Sequence, residues 1–262
     1  ERDQEFTPAL INRALAQVQI GRFERAAKDL EQAAQLAPRD PVVMFNRGVL
    51  AARQAEYAQA IQHYTAALEI ESRMASAWNN RGICYLETGE DHKARSDFSR
   101  AISLQDQEAS YYFNRAIAWE KLSRYDEAVS DYTRAINLEP EMVPAYYNRG
   151  LLRLSLNRKQ SGCQDLEQAC RLGMCEQLHL LQDKGICPES DDRSNGEPNL
   201  DEPVRKDFDR PASSNAHPSE DLNRNGDQGL SQNIEPISRA EADHDTEATG
   251  NPTVPKHSLS LG

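Results

Sequence analysis

Tyr146-Tyr147-Asn148-Arg149-Gly150 echoes Tyr112-Phe113-Asn114-Arg115-Ala116 at a distance of 34 residues, and the same Asn-Arg pair, followed by Ala or Gly, begins at Asn12, Asn46 and Asn80. A spacing kept through five occurrences marks an internal repeat. Units of this length bury a hydrophobic face only against their neighbours, so such a chain is a stack of copies with one repeated surface.

Setting the copies at 7–40, 41–74, 75–108, 109–142 and 143–176 brings the other columns into register. Ala14, Gly48, Gly82, Ala116 and Gly150 form one small-residue column, and Ala26, Ala60, Ala94, Ala128 and Gly162 form a second. A third is Ala in every copy: Ala33, Ala67, Ala101, Ala135 and Ala169. Between them runs a bulky column of Leu30, Tyr64, Phe98, Tyr132 and Leu166, with another at Leu10, Met44, Trp78, Tyr112 and Tyr146. Small residues let helices approach, and large ones fill the space between them.

Within a copy the apolar spacing is helical on both sides of a short break. In the fourth, Tyr112, Ala116 and Trp119 recur three or four apart, and Tyr125, Ala128, Tyr132, Ala135 and Ile136 do so after a turn near Ser123-Arg124. Each copy therefore reads as a helical hairpin. Gly21 and Gly89 supply the inner turn in two copies, Asp40-Pro41 is a helix cap followed by Pro at the first helical position, and Pro38 and Pro140 close second helices.

These columns resemble the tetratricopeptide repeat family, in the subgroup whose first helix reads like Tyr146-Tyr147-Asn148-Arg149-Gly150. The resemblance implies an all-α, right-handed superhelical solenoid of hairpins over residues 7–187, capping helix included, that holds another protein chain. Departures are local: Gln17, Ala51 and Arg153 replace a usual aromatic, and Ser72 and Asp106 replace a usual Pro.

Composition divides the chain. The segment 188–262 carries 16 acidic and 7 basic residues and 8 of the 13 prolines, with Phe208 as its single aromatic. It cannot bury enough apolar area to offset its chain entropy and reads as a disordered acidic tail. An acidic chain without a basic stripe is a poor candidate for nucleic acid. No run reaches the roughly 18 apolar residues of a membrane-spanning helix.

The chain begins at Glu1 instead of Met, as it would after signal removal or truncation. Cysteine usage favours export to a periplasmic or extracellular setting, with the cytoplasm as the alternative. Four of the five cysteines, Cys163, Cys170, Cys175 and Cys187, lie in one short stretch. An antiparallel return after Leu172-Gly173 would set Cys170 near Cys175 and Cys163 near Cys187, although four cysteines admit three connectivities. Reduced thiols and a four-thiolate zinc site are the alternatives, and the spacings suit zinc poorly. The stretch Gly162 to Gly173 also resembles a terminal cap of exported bacterial relatives. Cys84, on an apolar helix face, reads as a packed, inert thiol.

The family resemblance further implies that first helices line the concave surface. Asn12, Asn46, Asn80, Asn114 and Asn148 would then form a ladder along it. Each amide offers a donor and an acceptor to one peptide unit of an extended ligand. Similar ladders grip peptide backbones in armadillo carriers and in O-linked N-acetylglucosamine transferase. Phe45, Phe113 and Tyr147 would face the same groove, where copy three alone presents Asn79. Equally, the amides would bond neighbouring helices and fix the repeat.

For Arg13, Arg47, Arg81, Arg115 and Arg149 a structural reading dominates, because Asp29, Asp97, Asp131 and Asp165 follow four of them by 16 residues. A repeated Arg-to-Asp bridge accounts for both columns. His63 interrupts the Asp column and leaves Arg47 for a ligand carboxylate. No phosphate-cradling loop or nucleophile elbow occurs, and the histidines lack metal-ligand spacing, so the sequence predicts no catalytic residues, metal or cofactor. The expected function is a non-catalytic scaffold that binds an extended peptide, compatible with a homodimer. A redox- or metal-responsive module using the C-terminal cysteines is the alternative.

Overall fold

Close helix pairs recur with the sequence period. The computed structural model describes residues 6–188, and every regular element among them is an α-helix. In chain order these are α1 (Phe6–Gln19), α2 (Phe23–Leu36), α3 (Pro41–Arg53), α4 (Tyr57–Ile70), α5 (Ala75–Glu87), α6 (Asp91–Leu104), α7 (Ala109–Lys121), α8 (Tyr125–Leu138), α9 (Val143–Ser155), α10 (Lys159–Arg171) and α11 (Glu176–Asp183). The all-α fold expected from the columns is found, and the segment read as a disordered tail lies outside the described residues from position 189 onward.

The described chain divides into two compact units, residues 6–139 with α1–α8 and residues 140–188 with α9–α11. In the first, four hairpins stack as a solenoid: α1 on α2, α3 on α4, α5 on α6 and α7 on α8, with α2, α4 and α6 each also packing on the helix that follows. In the second, α9 pairs with α10, and α11 folds back on α10.

The small-large columns produce the hairpin contact. Tyr64, Phe98 and Tyr132 are wholly buried, and so are Ala26, Ala60, Ala94 and Ala128. Burying one such large side chain contributes about 1.5–3 kcal/mol. Gly82 shows why its column stays small: a Cβ there would lie 2.7 Å from Phe98 Cε1, and one at Gly48 would lie 2.6 Å from Tyr64 Cε1. In the second unit Gly162 plays the same part, since a Cβ would meet Leu154 Cγ at 2.8 Å.

Helix ends follow from local chemistry. The Asp40 carboxylate accepts a hydrogen bond from the Val42 N–H at 2.9 Å, and Pro41 occupies the first helical turn, where its missing N–H costs nothing. The inner turn of each hairpin needs one left-handed residue. Gly21 (φ +71°) and Gly89 (φ +75°) fill that place, and Ala55, Ser123 and Asn157 occupy it in the other copies at φ +58° to +60°. Asn157 shares some of glycine's tolerance for this backbone, whereas the left-handed Ala55 and Ser123 are held by the packed helices on each side.

Two stability changes are expected. Ala55→Gly relieves a left-handed Ala and raises stability by about 0.5–1 kcal/mol in urea unfolding. Gly82→Val drives a side chain into Phe98 and lowers stability by about 1–3 kcal/mol in the same assay.

Candidate binding site on the first helices

Asn and Arg of the repeated pair point into different environments because they are adjacent on a helix. In the first unit, Asn46, Asn80 and Asn114 are each only 1% exposed, whereas Asn12 is exposed. Asn46 Nδ2 donates to the Val42 carbonyl one turn back at 2.9 Å. Asn114 Nδ2 donates to Asn79 Oδ1 at 2.9 Å, and Asn79 Nδ2 donates to Asn80 Oδ1 at 3.3 Å. The Asn79 that breaks the apolar column of copy three thus joins the amides of copies three and four. Asn114 Oδ1 is buried and accepts no hydrogen bond among the described residues. A buried acceptor left without a donor costs about 1–3 kcal/mol.

The aromatic neighbours are core residues in this unit. Phe45 is wholly buried and packs its ring 5.5 Å from that of Tyr64; Phe113 lies 5.7 Å from Tyr132. In the second unit Tyr147 is buried in the cluster with Leu166 and Leu178, and Asn148 is half-buried.

The arginines form a repeated clamp. Arg13 grips Asp29, Arg81 grips Asp97 and Arg115 grips Asp131, each through Nε and Nη2 to the two carboxylate oxygens at 2.7–3.0 Å. Arg149 does the same to Asp165 in the second unit at 2.7–2.9 Å, and Arg153 adds a contact at 2.7 Å. A planar guanidinium matches a carboxylate in two parallel bonds, which fixes orientation as well as charge. The remaining Nη1 of Arg81 reaches Thr65 Oγ1 at 3.0 Å, and that of Arg115 reaches Ser99 Oγ at 3.2 Å. Arg81 and Arg115 therefore each tie their own second helix to that of the preceding copy. The hydroxyl column of Thr65 and Ser99, also 34 apart, was the available signal for this tie, and sequence reasoning missed it. Trp78 stacks on Arg81 at 4.7 Å from guanidinium carbon to ring centroid.

Arg47 breaks the pattern. It is half-buried on α3 and has no carboxylate partner among the described residues, because the position 16 residues on is His63. Burial and the positive charge of Arg47 both lower the His63 pKa, so the imidazole is held toward its neutral form and supplies no counter-charge.

Two further groups have unusual protonation. Burial pushes the Cys84 thiol up to about 12 and leaves it free but buried and unreactive, as its apolar face implied. Burial also raises the Glu120 carboxyl to about 7, opposed by the Tyr132 hydroxyl that donates to Glu120 Oε1 and by Lys121.

The cysteines pair as Cys163–Cys187 and Cys170–Cys175, with Cα–Cα distances of 5.6 and 4.0 Å. His179, which sequence reasoning did not single out, lies beside the second bridge. One ligand atom from each of Cys170, Cys175 and His179 lies within 4.8 Å of the others, because the turn after α10 folds Cys170 onto the start of α11.

Family models of the tetratricopeptide repeat match residues 11–73, 53–111, 109–142 and 143–172. No match emerges among curated proteins. Among solved structures, PilF of Pseudomonas aeruginosa aligns with TM-score 0.64 and 18% identity over 71% of this chain and 89% of its own. YrrB, described as a TPR protein with an unusual peptide-binding site, aligns with TM-score 0.57 and 19% identity over 67% of this chain and 90% of its own. MamA of Desulfovibrio magneticus RS-1 aligns with TM-score 0.59 and 16% identity over 63% and 94%.

The Glu120 environment sets a pH dependence. A folded pKa raised above the ordinary carboxyl value of 4.5 to about 7 gives a contribution present below pH 4.5 and lost as pH rises through 7. Wild type is expected to lose about 1–3 kcal/mol from this group between pH 4.5 and 8, and Glu120→Gln to remove that part of the slope, as read by urea unfolding at stepped pH.

Proposed function

Because the chain belongs to the tetratricopeptide repeat family, we propose that it is a non-catalytic protein-binding scaffold whose first helices take an extended, acidic peptide segment of a partner. The observation that carries this reading is Arg47. Four equivalent arginines are neutralised by aspartates, while this one is half-buried without an anionic partner among the described residues. A guanidinium drawn partly out of water and left uncompensated is costly, and a visiting carboxylate recovers that cost through a bidentate pair.

Asn114 supports the same reading, since its Oδ1 lacks a donor and a peptide N–H would supply one. Asn12 is the accessible member of the amide column, whereas Asn46, Asn80 and Asn114 lie beneath contacts that a ligand must open. In the second unit Tyr147 and Asn148 continue the sequence register. Each peptide hydrogen bond contributes only about 0.5–1.5 kcal/mol, so selectivity falls mainly on the charged anchor. The YrrB likeness, at under a fifth identity, supports the fold that carries such a site.

A displayed library of ten-residue peptides tests the proposal. Wild type is expected to enrich sequences with Asp or Glu at one fixed position. Arg47→Glu is expected to weaken the enriched peptides at least tenfold while the melting temperature holds within about 2 °C, given that no ion pair is broken. Absence of an acidic consensus, or unchanged affinity in Arg47→Glu, would overturn it.

A further inference from the structure

The two disulfides differ in setting, although both lie in the second unit. Cys163 and Cys187 are 24 residues apart, each 3% exposed, and sit among Leu166, Leu178 and Leu181, so their bridge fastens the segment after α11 over a core. Cys170 and Cys175 are only five apart and both half-buried, and their bridge spans a turn that already folds through Gly173 at φ +108°. A crosslink across so short a loop removes little chain entropy, and the backbone hydrogen bonds Gly173 N–H to Cys170 O (2.9 Å) and Met174 N–H to Ala169 O (2.9 Å) hold the turn without it. The first bridge has an evident structural task, and the second does not.

His179 gives the second bridge a different meaning. It lies four residues after Cys175, the residue that caps the start of α11, and is exposed, with its backbone N–H donating to the Cys175 carbonyl at 3.1 Å. One ligand atom of each of Cys170, Cys175 and His179 falls within 4.8 Å of the others; ligands around one tetrahedral ion with bonds of about 2.0–2.3 Å stand about 3.3–3.8 Å apart, so breaking the bridge lets the two sulfurs separate to that spacing beside His179. Two sulfurs and one imidazole nitrogen are ligands of soft-to-borderline character, which suit Zn²⁺ and leave a fourth position open. While bridged, the sulfurs carry no thiolate charge and bind no metal. Disulfide and metal site are therefore exclusive states of one turn.

We propose that Cys170, Cys175 and His179 form a redox-gated Zn²⁺ site, closed to metal as the disulfide and opened by a dithiol reductant. The reductant gives two electrons to the Cys170–Cys175 bond and leaves as its own disulfide; the S–S bond breaks and both cysteines become thiols. Zn²⁺ then binds the two sulfurs as thiolates and a neutral imidazole nitrogen of His179, releasing two protons to solvent, with water in the fourth position. Oxidation by a disulfide-bearing partner reverses the exchange and expels the ion. The assignment is independent of peptide binding, whose charged anchor is Arg47 on α3.

The test uses the full chain, treated with graded dithiothreitol, exchanged into reductant-free anaerobic buffer and titrated with Zn²⁺ under native mass spectrometry. Alkylation with peptide mapping reports which bridge has opened. The expected result is one tightly bound Zn²⁺ when Cys170 and Cys175 are free and Cys163–Cys187 is intact, none in the oxidised chain, and at least tenfold weaker binding in His179→Ala. Where both bridges open together, the Cys163→Ser/Cys187→Ser variant, checked by circular dichroism for helix content, isolates the pair and gives the same reading. Equal binding by oxidised and reduced chains, no binding by the reduced pair, or His179→Ala within twofold of the parent would each overturn the proposal.

Discussion

Two helices of a hairpin approach at Gly82 because no Cβ stands between the α5 backbone and the ring of Phe98, and Gly48 grants the same room to Tyr64. Everything else in the repeat is conditioned by that closeness. A buried aromatic on the second helix needs the small residue opposite, and the pair fixes the spacing at which the flanking alanines also become buried. Copies that carry Ala at the same position show that the rule concerns size rather than glycine's backbone freedom, which matters only in the inner turns.

With helix spacing set by packing, the arginine beside each small residue can meet the aspartate 16 positions on in a two-bond geometry. Such a pair is weak evidence for net stability, since drawing both charges from water offsets much of their attraction. Its stronger effect is on register. A bidentate clamp that also reaches a hydroxyl on the preceding copy tolerates little sliding between hairpins, so the clamp specifies how copies follow one another. With His63 in place of that carboxylate, Arg47 has no anionic partner among the described residues.

The fold was legible because a repeat multiplies weak signals. No single Ala or Tyr locates a helix, but Ala33, Ala67, Ala101 and Ala135 together do, and the Arg-Asp offset was readable by the same means. The break near Ser123 was legible from the apolar spacing, but the left-handed backbone at Ala55 and Ser123 was not, since it comes from neighbouring helices and not from the residue. The amide column showed a repeated chemistry without its surroundings: burial at Asn46, Asn80 and Asn114 and the Asn114–Asn79–Asn80 chain depend on contacts between copies. The proximity of His179 to Cys170 was illegible for a related reason, because a turn rather than a single helix brings them together.

The division between clamping arginines and the unpaired one is the claim on which the account rests. A double-mutant cycle at Arg115 and Asp131, run beside one at Arg47 and His63 by urea unfolding, measures it directly. The account predicts a favourable coupling of about 1–3 kcal/mol for the first pair and one near zero or mildly repulsive for the second. Equal couplings at the two sites, or none at Arg115 and Asp131, would contradict it.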